Sequence, residues 1–215
     1  MNAARALLFD FNGTLSHDEP LLCAIYQSLF ARHGRPLTEV QYYERLAGLP
    51  EETIIGGWLG VDGPLLGSLV AERVESYRVG AADGSTVRET TRLAVRRAAA
   101  SVPVGIVSGA FQAEIQPVVE AAGLSDAFTT IVAADDVAQG KPHPEGYLLA
   151  LERLRVAPSE AIAFEDTEVG VAAAMAAGIH CLAVRGTLPA SRLQQADELI
   201  DGIDVDLVER LITAS

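Results

Sequence analysis

From Val87 onward the chain alternates short apolar runs with stretches of helical character, and this alternation restricts the fold more than any other feature. Val87 to Ala100 reads as a helix, Val102 to Val107 as a strand, Phe111 to Ala122 as a helix and Thr129 to Ala133 as a strand. Pro144 to Leu154, Ala161 to Phe164, Val169 to Ala177 and Ile179 to Val184 continue the series as helix, strand, helix, strand. A short run at Leu199-Ile200 and a helix from Val205 to Ile212 close it. The apolar runs are too short for buried helices and are bounded by turn residues, as strands covered on both faces are. Strands joined through helices form right-handed crossovers, so a parallel sheet with helices on both sides is predicted.

One strand stands apart. Leu7-Leu8-Phe9-Asp10-Phe11-Asn12-Gly13-Thr14-Leu15 is an apolar run that stops at a carboxylate and an Asn-Gly turn. It must join the sheet across an insertion. From about Glu19 to Arg78 the periodicity is helical, as in Leu21, Leu22, Ile25, Leu29 and Phe30, with breaks at Gly34-Arg35-Pro36, Gly48-Leu49-Pro50 and Gly60 to Pro64. Thr38-Glu39-Val40-Gln41 suits a capping box, and Trp58 reads as a core residue of this unit. Pro50-Glu51-Glu52 suits a helix's first turn, so Glu51 and Glu52 read as ordinary first-turn acids. Gly80 to Ser85 is small, polar and Gly-rich, as a boundary is. The expected fold is α/β, with a Rossmann-like parallel sheet core built from residues 1–15 and 84–215 and a helical cap domain inserted at 16–83.

Composition removes several function classes. With 215 residues, 49% of them hydrophobic, the chain can bury a full core, and its net charge of −13 opposes broad binding to nucleic acid or anionic membrane. Cys23 and Cys181 have no metal-ligand spacing and read as buried free thiols of a reducing compartment. No basic segment followed by a long apolar stretch opens the chain, and no apolar run reaches a spanning length, so a soluble, cytoplasmic protein is expected. Its expected state is a monomer, with a dimer as the alternative.

Three more polar positions follow apolar runs as Asp10 does. Ser108-Gly109 ends Val104 to Val107, Glu165-Asp166-Thr167 ends Ala161 to Phe164, and Lys141 lies in Gly140-Lys141-Pro142-His143-Pro144 ahead of a helix. In a parallel sheet these positions converge on the carboxyl edge, where ligands bind. The separated carboxylates Asp10 and Asp166 suit a hard cation such as Mg²⁺, and a hydroxyl, a glycine N–H and a lysine would complete a phosphate site.

In these motifs the chain resembles the haloacid dehalogenase superfamily of phosphohydrolases, in its phosphoglycolate phosphatase and β-phosphoglucomutase-like subgroup. Asp10-Phe11-Asn12-Gly13-Thr14 matches the first motif, Ser108 the second, Lys141 the third and Glu165-Asp166 the fourth, and Gly170 to Gly178 resembles the helix that follows. The resemblance implies a reaction in which Asp10 attacks phosphorus and water cleaves the resulting aspartyl-phosphate. It implies Mg²⁺ held by Asp10, the backbone carbonyl of Asn12 and Asp166, with Glu165 alongside. Ser108 and the Gly109 N–H would take phosphate oxygens, and Lys141 would neutralise both Asp10 and the phosphoryl group. The implied substrate is a small phosphorylated metabolite.

The chain departs from that pattern at Asn12, where phosphatases of the superfamily usually carry the Asp that protonates the leaving group. Either the leaving group departs unprotonated, or His17, Asp18 or Glu19 substitutes, or the chain is a catalytically weak protein that binds metal and phosphate. Dehalogenases carry Tyr at this position. Phosphonoacetaldehyde hydrolases carry a cap lysine where Glu51 stands, and β-phosphoglucomutases carry cap cations at Ala47 and Glu51 and a histidine at Leu22, so all three activities fit less well. Asp18, Glu19, Tyr26, Arg45, Leu49 and Glu51 are expected to face the substrate from the cap. His143 is a candidate support for Lys141, His33 and His180 read as structural, and Asp135-Asp136 reads as a loop supporting Lys141 rather than a second metal site.

Overall fold

The computed structural model describes residues 3–213, so the ends of the expected core range, residues 1–2 and 214–215, lie outside the described residues. Six strands, β1 (Ala6–Phe9), β2 (Val104–Val107), β3 (Thr130–Val132), β4 (Ala161–Glu165), β5 (His180–Val184) and β6 (Glu198–Ile200), form one parallel sheet in the order β3-β2-β1-β4-β5-β6. The strand read from Val102 starts two residues later; Pro103 lacks an N–H but still accepts from Leu7 N at 3.2 Å. Leu199-Ile200 proves to be an edge strand.

Side chains alternate across β1. Leu7 and Phe9 face one core layer while Ala6 and Leu8 face the other, and all four are buried. Phe9 stacks on Phe164 of β4 with ring centroids 4.7 Å apart. Helices α5 (Glu89–Ala99), α6 (Gln112–Ala121) and α9 (Val205–Thr213) contribute to the first layer, and α7 (Glu145–Leu154) and α8 (Glu168–Ala176) to the second. The strand order reverses between β1 and β4, so the crevice at their carboxyl ends is a topological switch point.

Between β1 and α5 lie α1 (Glu19–Arg32), α2 (Glu39–Arg45), α3 (Gly57–Leu59) and α4 (Gly63–Gly80). The Thr38 capping box forms as expected: Gln41 N donates to Thr38 Oγ1 at 3.2 Å and Thr38 N to Gln41 Oε1 at 2.9 Å. Trp58 is half-buried, stacked on Phe30 at 5.9 Å, and donates to the Arg35 carbonyl at 2.8 Å. Ahead of α3 the backbone takes one wider turn of π type, Glu52–Gly56, which the sequence reading did not foresee. These helices pack against the core at the sheet edge. Arg73 of α4 pairs with Glu114 of α6, Tyr77 donates to Asp18, and Arg192 reaches the Tyr43 and Glu44 carbonyls at 3.4 Å each.

Candidate active site

The ends of β1, β2 and β4 and the loop before α7 form the floor of a cavity of about 360 Å³, and the inserted helices form its roof. Asp10, Asn12, Ser108, Gly109, Lys141 and Asp166 all line it, as their positions at strand ends predict. Lys141 Nζ contacts Asp10 Oδ1 at 2.5 Å and Glu165 Oε1 at 2.6 Å, and the Tyr147 hydroxyl donates to the same Glu165 oxygen at 2.6 Å. One ammonium thus joins the end of β1 to the end of β4.

The local turns have physical causes. Gly13 adopts φ +75°, and a Cβ built there would stand 1.9 Å from Asp166 Oδ2, so only glycine fits between the first loop and the second carboxylate. At Gly170 a Cβ would lie 1.8 Å from Glu165 Oε2, so α8 approaches β4 closely enough to cover that carboxylate. Thr167 caps α8 by accepting from Gly170 N at 3.2 Å, which fixes the chain after Asp166.

Burial dominates the electrostatics here. It pushes Asp10 up against the opposing pull of Lys141, and Glu165 up to about 7, again against Lys141. Burial and then the charges of Asp10, Glu19 and Glu165 hold Asp166 well above the carboxylate range. Burial also opposes the charge on Lys141, but Asp10 and Glu165 outweigh it and raise that group. Asp10, Glu165 and Asp166 offer oxygens all within 4.8 Å of one another, and Asp166 Oδ2 and Glu165 Oε2 are buried without a partner among the described residues. A crowded set of carboxylate oxygens with a surplus of negative charge fits a hard divalent cation such as Mg²⁺.

Ser108 is buried, and its Oγ accepts from Ala110 N at 3.0 Å, while nothing among the described residues stands within 4 Å of a Cβ built on Gly109. Asn12 is tied in place: its Nδ2 donates to Asp18 Oδ2 at 2.9 Å, Gly13 N donates to Asp18 Oδ1 at 3.1 Å, and the Tyr77 hydroxyl also donates to Asp18. Asp18, expected to face the substrate, is instead buried beneath Asn12 and does not line the cavity. Arg45 is exposed and also lies outside the lining, because its helix presents Tyr42 inward. Glu19, Tyr26, Leu49 and Glu51 do line the cavity.

The roof holds what the sequence reading missed. Glu51 is not an ordinary first-turn acid: its Oε1 accepts from the Tyr26 hydroxyl and pairs with Arg73, each at 2.6 Å. Arg73, buried, also pairs with the fully buried Glu114, whose other oxygen accepts from Phe111 N at 3.1 Å. Burial raises Glu114 to about 7 against the pull of Arg73. Glu19 accepts from the Tyr42 hydroxyl at 2.8 Å and is pushed up to about 7, by burial first and then by Asp18 and Asp10.

The remaining candidates are structural. His143 accepts from Glu145 N at 3.2 Å rather than touching Lys141, and His17 is half-buried outside the cavity. Asp135 accepts from Gln112 N at 3.1 Å; Asp136 accepts from Ala133 N at 2.9 Å and Arg153 at 3.0 Å. Both cysteines are free and buried.

A family model of haloacid dehalogenase-like hydrolases matches residues 4–178. The chain belongs to this family. The hydrolase is 32% identical over 199 residues to validoxylamine A 7'-phosphate phosphatase of Streptomyces hygroscopicus subsp. limoneus, covering 91% of this chain and 92% of that one. It is 32% identical over 181 residues to a phosphorylated carbohydrates phosphatase of Thermotoga maritima, covering 81% and 82%. CbbY of Rhodobacter sphaeroides, solved in complex with phosphate, superposes with a TM-score of 0.83 at 27% identity over 95% of this chain and 96% of that one. No single helix among the described residues is long and apolar enough to cross a membrane.

Proposed function

We propose that this hydrolase is a Mg²⁺-dependent phosphatase that cleaves a small phosphorylated metabolite through an aspartyl-phosphate on Asp10. The observation that carries the reading is Lys141 held between Asp10 and Glu165 at 2.5 and 2.6 Å on the floor of the cavity. Asp10 attacks phosphorus, the bond from phosphorus to the leaving oxygen breaks, and water then cleaves the acyl phosphate to free Asp10. Lys141 offsets the charge of nucleophile and phosphoryl group together, and Glu165 and Tyr147 hold the lysine in place. Ser108 and the Gly109 N–H take phosphate oxygens. Asp10, the Asn12 carbonyl and Asp166, with Glu165 alongside, would hold Mg²⁺, whose charge offsets the repulsion between nucleophile and phosphate. Residues 16–83 act as the cap that excludes water. The phosphatases among its relatives support the reaction class.

Asn12 cannot supply the leaving group's proton, and its amide nitrogen is committed to Asp18. Of the three substitutes considered, only Glu19 lines the cavity. The same Asn12 favours the second reading, a protein that binds metal and phosphate with little turnover. Phosphate release from an aryl phosphate, measured with Mg²⁺ and with chelator on the native protein, Asn12→Asp and Asp10→Ala, separates the two. Turnover that needs Mg²⁺ and disappears in Asp10→Ala supports the phosphatase; a silent native protein beside an active Asn12→Asp supports the binding protein. Silence in all three defeats the reaction class.

A further inference from the structure

The roof of the cavity carries a chemistry that neither the reaction nor the floor requires. Glu51 is nine-tenths buried, with 10% of its side chain exposed, and its Oε1 is shared by the Tyr26 hydroxyl and Arg73. Its Oε2 is buried and has no partner among the described residues, in a residue that lines the cavity. A buried carboxylate oxygen without a donor is unstable by itself, so the position calls for a donor that arrives with a ligand. Arg73, the cation of the roof, is already spent: it pairs with Glu51 and Glu114 and donates to the Tyr26 hydroxyl at 3.3 Å. Glu19 adds a second carboxyl on the same side, and Tyr42 already donates to it.

We infer that Glu51 Oε2 is the acceptor for a hydroxyl or ammonium group on the leaving portion of the substrate. The site thereby selects phosphate monoesters of neutral polyols or amine-bearing carbohydrates over those whose leaving group carries a carboxylate or second phosphate. The inference rests on the phosphatase reading and narrows it. A carboxylate brought under the roof would face Glu51 and Glu19 with no uncommitted cation in reach, whereas a hydroxyl or ammonium gains a charge-assisted bond to an oxygen that now lacks one. The tie from Arg73 to Glu114 holds Glu51 over the floor, so the acceptor is fixed before substrate arrives.

The test compares kcat/KM for sorbitol 6-phosphate, glucosamine 6-phosphate, 2-phosphoglycolate and an aryl phosphate on the native protein and on Glu51→Gln. The native protein is expected to prefer the polyol and amino-sugar esters to phosphoglycolate by about 100-fold, and Glu51→Gln to narrow the glucosamine preference by about tenfold. A native preference for phosphoglycolate overturns the assignment. So does a glucosamine-to-phosphoglycolate ratio that stays within about twofold in a folded Glu51→Gln protein. Dissociation constants of the same esters for Asp10→Asn, with and without Glu51→Gln, read the same preference without turnover. Failure of the aryl phosphate assay therefore counts against the reaction, and failure of the binding ratio against Glu51.

Discussion

The floor and the roof of the cavity are both crowded with buried acids, but they are built in opposite ways. On the floor Asp10 and Glu165 share one cation, Lys141, Asp166 has none in contact, and two carboxylate oxygens remain without partners among the described residues. On the roof Arg73 is divided between Glu51 and Glu114, and tyrosine hydroxyls donate to one oxygen each of Glu51 and Glu19. The floor is left short of positive charge, an arrangement that fits a cation. The roof is nearly balanced, with one open acceptor, and its ties run sideways into the core. On the proposed reading the first arrangement serves chemistry, and the second ties the inserted helices to the core and selects the substrate.

The sharpest way to break this contrast is to remove the floor's cation. Lys141→Met is expected to lower turnover of an aryl phosphate about 10³-fold, since the nucleophile and phosphate lose a fixed positive charge. The metal-free protein should lose about 3–5 kcal/mol, because buried carboxylates are left unpaired. Thermal melts with and without Mg²⁺ check the cause: the gain on adding Mg²⁺ should be larger in Lys141→Met than in the native protein. An equal gain would mean that the lysine and the ion do not answer the same charge.

The corresponding change on the roof is Glu114→Leu, which leaves Arg73 with Glu51 alone. It should destabilise the protein by about 3 kcal/mol while lowering aryl phosphate turnover far less than Lys141→Met does. Arg73→Leu combined with Glu114→Leu should cost less than the sum of the single changes by about 1–3 kcal/mol, as the two side chains share one interaction. Additive losses in denaturant titration would show that the tie contributes nothing of its own.

The two regions also differed in how legible they were. Asp10, Ser108 and Glu165-Asp166 each end an apolar run, and a parallel sheet brings strand ends together whatever the detailed packing, so the floor could be read from order alone. The roof depends on which face each cap helix turns inward. Arg73 stood four residues from both Leu69 and Tyr77 on a buried stripe, a signal that was present and unread. Its partner Glu114 belongs to a core helix 41 residues away, and no local pattern specifies that pairing. Glu51 was misread because its partners, Tyr26 of α1 and Arg73 of α4, come from other helices and leave no mark on the local sequence. Asp18 was misplaced because its partners, Asn12, Gly13 and Tyr77, are set by the tight loop after β1 and by the docking of α4.

Asn12 sits where the two regions meet, and Asn12→Asp tests which of them controls it. The new carboxylate would lie at hydrogen-bond distance from Asp18, and two carboxylates that close do not both carry charge. The single change should therefore raise turnover by no more than about tenfold, below the usual worth of a general acid. Asn12→Asp with Asp18→Asn restores a neutral partner and should gain more. Equal rates for the single and double variants would show that Asp18 does not restrain the position.

The smallest effect separates Glu19 from the floor beneath it. Its folded value of about 7 lies above the 4.5 of an unfolded glutamate, because burial and then Asp18 and Asp10 disfavour the anion despite the Tyr42 bond. A group raised in this way holds its proton more tightly in the folded state. Its contribution is complete below about pH 4.5 and is lost as the pH rises through about 7. In chelator the native melting temperature should therefore fall between pH 5.5 and 8, with Asp10, Glu165 and Asp166 acting in the same direction. Glu19→Gln keeps an acceptor for Tyr42 but cannot ionise, so it should flatten that fall by about 3 °C and leave the rest of the slope to the floor and to Glu114. A slope unchanged by Glu19→Gln would leave the pH dependence to the floor and to Glu114, and show that Glu19 adds nothing to it.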